Sequence, residues 1–203
     1  LNIFYSRAEK KLLPNSFSFQ TLRSLKGMTY VALDSTKSNN ARDAQMSDNF
    51  LWLKNNVFSE DKIIVWASNS HIFKGYRDLT YPIEKRDTIN TGTLIADEIE
   101  NELYILGFTS GKGKYGRLYR QKYDLNEPIN NSFETFFEEK GAKYAFTDFK
   151  GSGIEDKNFN FWMKSLVHMP NRFKWMKMFD GIFYIEEMYP CTDVLNIDKF
   201  AIN

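Results

Sequence analysis

The chain has one cysteine, Cys191, and two histidines, His71 and His168, in 203 residues. A single thiol closes no internal disulfide, and a metal centre would have to be assembled from two histidines and carboxylates, so neither a metal nor another cofactor is expected. The lone cysteine fits a reducing cytosol without establishing it. Apolar runs stay well short of the roughly 18 residues that mark a membrane-spanning helix, so no membrane span is expected. Charge of one sign is also missing. With 27 basic and 26 acidic residues the net charge is +1, which removes the electrostatic ground for nucleic acid or an anionic membrane as partner. No signal-peptide pattern is present. The chain starts at Leu1 rather than at Met, which reads as a processed or truncated product.

Aromatic residues are plentiful, with 18 Phe, 11 Tyr and 4 Trp, and the apolar and charged fractions of 42% and 26% are those of a globular protein. The length suits a single α/β domain over residues 1–203 with one substantial core. Leu1 to Lys26 reads as one or two short helices broken at Pro14. Met28 to Leu33 is a candidate strand. Asp34 to Asn40 is polar and turn-like. Asn40 to Val57 is the clearest helix, because Met46, Phe50, Leu53 and Val57 recur at helical spacing. Arg42 heads that same stripe, where a charge is unusual, and so is a candidate for a polar site.

Asp61 to Ala67 reads as a second buried strand, ending in Ser68-Asn69-Ser70-His71. Phe73 to Asp87 is a long connection of the kind that is often functional. Further helices are expected over Thr88–Asn101 (capped by Asn90 or Thr91), over Asn130–Lys140 with Phe133, Phe136 and Phe137 inward, and over Phe161–Val167. Further strands are expected over Glu102–Thr109, Arg117–Tyr123, Lys143–Phe149 and Gly181–Glu186. Alternation of the two kinds predicts a three-layer α/β fold: a mainly parallel mixed sheet with helices on both faces. In such a sheet helix starts and strand ends share one edge, which would bring Arg42, His71 and Gly111 together.

The chemistry-bearing residues are few. Gly111-Lys-Gly113-Lys-Tyr-Gly116 spells G-x-G-x-x-G, but the following residues read as strand, whereas a pyrophosphate needs a helix start there. A glycine-rich turn bordering the site is the better reading. His71, after a strand, suits proton transfer at neutral pH. Ser68 and Ser70 beside it lack the G-x-S-x-G elbow of a nucleophile. His168 reads as a surface or packing residue. Asp43 is placed to cap the helix start or to hold Arg42.

Taken in order, several segments resemble the erythromycin esterase family. Arg42-Asp43-Ala-Gln-Met46-Ser-Asp-Asn49 with Leu51-Trp52-Leu53 is similar to that family's Arg-Asp-x-x-Met-x-x-Asn block. Trp66-Ala67-Ser68-Asn69-Ser70-His71 is similar to its Trp-Ala-His-Asn-x-His block. Gly92, Leu106-Gly107-Phe108-Thr109, Pro170-Asn-Arg172 and Phe179-Asp180-Gly-Ile-Phe183 follow with compatible spacing, so the resemblance spans about Tyr30 to Thr192. It implies ester or lactone hydrolysis, macrolides being the best-known substrates, through water activated by a histidine without a metal. Carried over, His71 and Arg42 would be catalytic, and Asp43, Ser68 and Asn69 would line the binding site. Two departures stand out. Ser68 replaces the first histidine of its block, and the family's N-terminal Glu-x-x-His is absent. The expectation is therefore a C-terminal portion, inactive as an isolated fragment, whose site a missing N-terminal segment completes. Its partner would be a small ester or macrolide-like molecule. The rival expectation is a non-catalytic small-molecule-binding domain that keeps the fold.

Overall fold

A computed structural model describes residues 2–33, 38–76, 89–117 and 120–191. The first part of the polar turn (34–37), most of the long connection after Phe73, part of the Arg117–Tyr123 strand and the C-terminal tail lie outside those residues. The chain divides into two compact units, Leu1–Ile105 and Leu106–Asn203.

The first unit is helical: α1 (Asn2–Glu9), α2 (Phe17–Leu33), α3 (Ser38–Asn56), α4 (Asn69–Ile72) and α5 (Thr91–Ile99), the last followed by a short 3-10 turn. Pro14 separates α1 from α2, since proline can neither donate to the helix ladder nor clear the preceding turn. Met28–Leu33, expected as a strand, instead forms the end of α2. Six residues are too few to carry a period of their own, and the helix entering from Phe17 simply continues through them. The α2–α3 seam is polar. Asn49 donates to Ser24 Oγ at 2.9 Å, Gln45 donates to Asn49 Oδ1 at 3.0 Å, and Arg23 pairs with Asp48 at 2.6 Å. The deeply buried positions of α3 are Asp43 and Ser47, one turn apart on one face. Met46, Phe50 and Leu53 are only part-buried, and Val57 lies past the helix end.

Asp61–Ala67 is assigned neither helix nor strand, and Ile64 and Trp66 are 90% and 85% exposed. The expected buried strand is therefore a solvent-facing segment here, and it leads into α4. Asn90 caps α5 as expected: its Oδ1 accepts from Thr93 N at 3.1 Å, and its amide donates to Phe73 O at 2.8 Å. That cap fastens α5 to the turn carrying His71. Gly92 is needed at this joint, because a Cβ there would run into the backbone carbonyl oxygens of Ile72 and Phe73.

The second unit holds the sheet: β1 (Leu106–Tyr115), β2 (Tyr123–Asp124), α6 (Phe133–Glu139), β3 (Tyr144–Asp148), β4 (Phe161–Leu166), β5 (Met169–Phe173), α7 (Trp175–Met178) and β6 (Gly181–Met188). The four-stranded sheet has the order β2-β1-β6-β3, and β4 and β5 form a separate hairpin. The fold is α/β with a mixed sheet. The expectation of a mainly parallel sheet is corrected: β1 and β6 are parallel, with Gly107 opposite Ile182, while the β1–β2, β3–β6 and β4–β5 pairs are antiparallel. Phe161–Val167, expected as helix, is strand β4 and its turn. So short a run carries no decisive period, and pairing with β5 sets its form. The Trp175 indole fastens this strand by donating to Phe161 O at 2.8 Å. Gly111 and Gly113 lie within β1 rather than in a turn, so the expected glycine-rich border is strand. Trp175, Phe179, Ile182 and Tyr184 form the fully buried centre.

Candidate active site

The site lies in the first unit and is set by one helix face and one turn. At the start of α3, Asp43 points inward with 3% of its surface exposed, while the neighbouring Arg42 side chain stays 46% exposed. Adjacent residues on a helix point about 100° apart, so one is buried and its neighbour reaches along the surface. The turn α4 presents His71, whose side chain is 28% exposed.

His71 stands between the two. Its Nδ1 lies 3.0 Å from Asp43 Oδ2, and its Nε2 lies 2.9 Å from Arg42 Nη2. A guanidinium only donates hydrogen bonds, so Nε2 must accept. The ring proton is then on Nδ1, donated to the Asp43 carboxylate. This is the orientation that leaves Nε2 as the basic nitrogen. Arg42 also approaches Asp43 through Nε at 3.6 Å from Oδ1, beyond hydrogen-bond range. Asp43 Oδ1 is buried with no hydrogen-bond partner. Asp43 is held from behind, its backbone carbonyl accepting from Thr91 Oγ1 at 3.1 Å. Asn90 Nδ2 holds the His71 turn by donating to Ser70 O at 3.2 Å.

Of the residues singled out in the sequence, the structure brings Arg42, Asp43 and His71 into one connected group. Ser68 immediately precedes α4, and its hydroxyl lies 2.8 Å from Ser70 Oγ rather than against the imidazole. Asn69 is the first residue of α4, where its carbonyl accepts from Phe73 N at 3.1 Å. Thr91 and Asn90, which fasten the group, entered the sequence reading only as helix caps. A polar cap looks the same in sequence whether or not it also reaches a second element. His168 packs its ring on Tyr115 at 4.6 Å, and burial lowers its pKa. No cluster of metal-ligating side chains occurs among the described residues. No helix there is long and apolar enough to cross a membrane.

The second unit contains a buried polar group that sequence reasoning missed. Glu134, fully buried on α6, accepts from the Thr109 hydroxyl and, at 2.8 Å, from Lys164 N. The Lys164 ammonium is buried too, donating to Gly111 O at 2.7 Å and Asn126 O at 2.5 Å. Burial lowers its pKa against the opposing pull of Glu134 and Glu138. Burial, with Glu138 and Glu186 nearby, pushes the Tyr184 phenol up to about 12. Phe136, expected inward, is 52% exposed, and Glu134 takes the inward position instead. A glutamate one residue from Phe133 on a phenylalanine-rich helix was the available signal.

The family is shown by sequence: the erythromycin esterase family profile matches residues 14–187, and the chain belongs to that family. It is 28% identical over 158 residues to the erythromycin esterase type II of Escherichia coli, covering 72% of this chain and 36% of that protein. It is 21% identical over 158 residues to YbfO of Bacillus subtilis (strain 168), whose name assigns it provisionally to the hydrolases, covering 73% of this chain and 35% of that one. The chain thus spans little more than a third of the length of these relatives. Two crystal structures share the fold. One is of a succinoglycan biosynthesis protein, with TM-score 0.69, 19% identity and coverage of 90% of this chain and 48% of that one. The other is of a Bacillus cereus protein, with TM-score 0.64, 17% identity and coverage of 91% and 49%.

Proposed function

We propose that this chain carries one part of a hydrolytic site that cleaves an ester or lactone with water activated at His71. The observation that carries the reading is the bond from His71 Nδ1 to the buried Asp43 carboxylate, which aims Nε2 away from Asp43 as a base. In that role Nε2 takes a proton from water as the oxygen attacks the acyl carbon, and the imidazolium formed is stabilised by Asp43. Arg42 contributes positive charge for a developing oxyanion. Ser68 and Asn69 line the approach to the turn. Membership of the erythromycin esterase family supports this reaction class and a small macrolide-like substrate. The remaining part of the site is contributed by sequence that this chain does not contain, including the Glu-x-x-His block.

The test is turnover of a panel of nitrophenyl esters and a macrolide lactone by the full-length protein and by its His71→Ala variant. The reading expects loss of turnover in the variant with the fold retained. Equal turnover by both, or no turnover of any ester, contradicts it. A second reading, a binding module without catalysis, is favoured by Ser68 standing where the family block has histidine. Thermal stabilisation by a macrolide without turnover would select it.

A further inference from the structure

Arg42 covers the nitrogen that a base would use. Its Nη2 sits 2.9 Å from His71 Nε2, the position that the O–H of an attacking water or an alcohol would have to occupy. The same guanidinium has a second acceptor within reach. Asp43 Oδ1 is 3.6 Å from Arg42 Nε, buried, and without a hydrogen-bond partner. A guanidinium donates a charge-assisted hydrogen bond to either acceptor, carboxylate or imidazole. An unpaired buried acceptor is also costly, and the cost disappears once a donor arrives. A small shift of Arg42 along its neighbour therefore exchanges one contact for another. It releases Nε2 and completes Asp43 Oδ1. Only Arg42 has to move: its side chain is 46% exposed, whereas that of Asp43 is 5% exposed and Asp43 is anchored by Thr91 and His71.

We propose that Arg42 is a gate on His71, closed when it donates to Nε2 and open when it donates to Asp43 Oδ1, and that entry of a hydroxyl donor at Nε2 selects the open position. This inference rests on the reading of His71 as the base. Removal of Arg42 thereby exposes the imidazole to a small reagent, whatever turnover loses with its charge.

The experiment measures carbethoxylation of His71 by diethyl pyrocarbonate, mapped by peptide mass spectrometry, in the unaltered protein and in Arg42→Ala. His168, packed on Tyr115 in the second unit, is the internal standard for reagent dose, and helical circular dichroism is the control for folding of the first unit. The gate predicts modification of His71 faster on the order of tenfold in the variant, as for a nitrogen free only a minor part of the time, with His168 unchanged. If Arg42→Ala loses helical signal, the first unit has opened, and Arg42→Lys replaces it. A lysine ammonium is a mobile point charge without the fixed planar fork of a guanidinium, so it covers Nε2 less of the time and its His71 is also expected to react severalfold faster. A His71 rate within roughly twofold of the unaltered protein in a folded variant overturns the gate. Because no ester is turned over in this assay, the gate and the hydrolytic reading fail independently: equal ester turnover in His71→Ala removes the second, and an unchanged modification rate removes the first.

Discussion

Asp43 is the residue on which the site's geometry depends. It is buried, it accepts from His71 through Oδ2, and its backbone carbonyl ties α3 to α5 through Thr91. In the proposed site its Oδ2 keeps the ring proton on Nδ1. An asparagine side chain is nearly the same shape, but presents an amide donor that can face Nδ1 and favour the other tautomer. Asp43→Asn is accordingly expected to lower kcat for ester hydrolysis by about two to four orders of magnitude with little change in KM, as for a base held in the wrong tautomer. Steady-state kinetics of the full-length protein checks this, and a kcat within a few-fold of the parent would contradict the assignment. Much of this group was legible in the sequence. Arg42 stands out as a charge on an apolar stripe and His71 as a scarce histidine after an apolar run. Their contact with each other was not legible, because it depends on α4, a single turn too short to leave a period.

At the scale of elements, the joint between α4 and α5 positions His71. Gly92 allows the first turn of α5 to lie directly against the carbonyls of Ile72 and Phe73. Gly92→Ala forces those carbonyls away, and with them the turn that holds His71. Overpacking of this kind is expected to cost about 1–3 kcal/mol in urea unfolding, together with a loss of turnover that a stability effect alone would not give at low temperature. Elements with a long period were readable: α3 is found at Ser38–Asn56 against an expected Asn40–Val57. Short apolar runs were not. Met28–Leu33 joins a helix already under way. Asp61–Ala67, expected as a buried strand, forms none among the described residues, and a strand's burial is decided by its neighbours rather than its own residues. The β4–β5 turn was also hidden. Val167 and His168 both take positive φ, 47° and 58°, with neither the glycine nor the asparagine that usually signals such a turn.

For the molecule as a whole, the two units bury polar groups to different ends. In the first unit buried Asp43 is held against His71, whose side chain is 28% exposed. In the second, Glu134, Lys164 and Tyr184 are enclosed within the core, where they shape stability instead. The Tyr184 phenol, raised from 10.0 to about 12 in the fold, contributes stability that is fully present below pH 10 and is lost as the pH rises towards 12. Its hydroxyl is buried without a hydrogen-bond partner, so Tyr184→Phe removes an unsatisfied group at little cost near neutral pH. Thermal unfolding followed across the alkaline range is expected to show a shallower loss of Tm for Tyr184→Phe than for the parent. Parallel curves would contradict this, since the phenol would then titrate alike in the folded and unfolded chain. Composition foresaw an aromatic core and the alternation of elements an α/β architecture, but the sheet's mixed direction could not be read from alternation, since the strand order β2-β1-β6-β3 is set by long-range pairing.

The measurement closest to the central claim is the tautomer of His71, read from long-range proton–nitrogen correlations of its imidazole at neutral pH. The Asp43–His71–Arg42 arrangement predicts a protonated Nδ1 and a bare, accepting Nε2, with the pattern lost on Asp43→Asn. A proton on Nε2 in the unaltered protein would contradict it, because Arg42 could then not donate to that nitrogen and the imidazole would not be poised as a base.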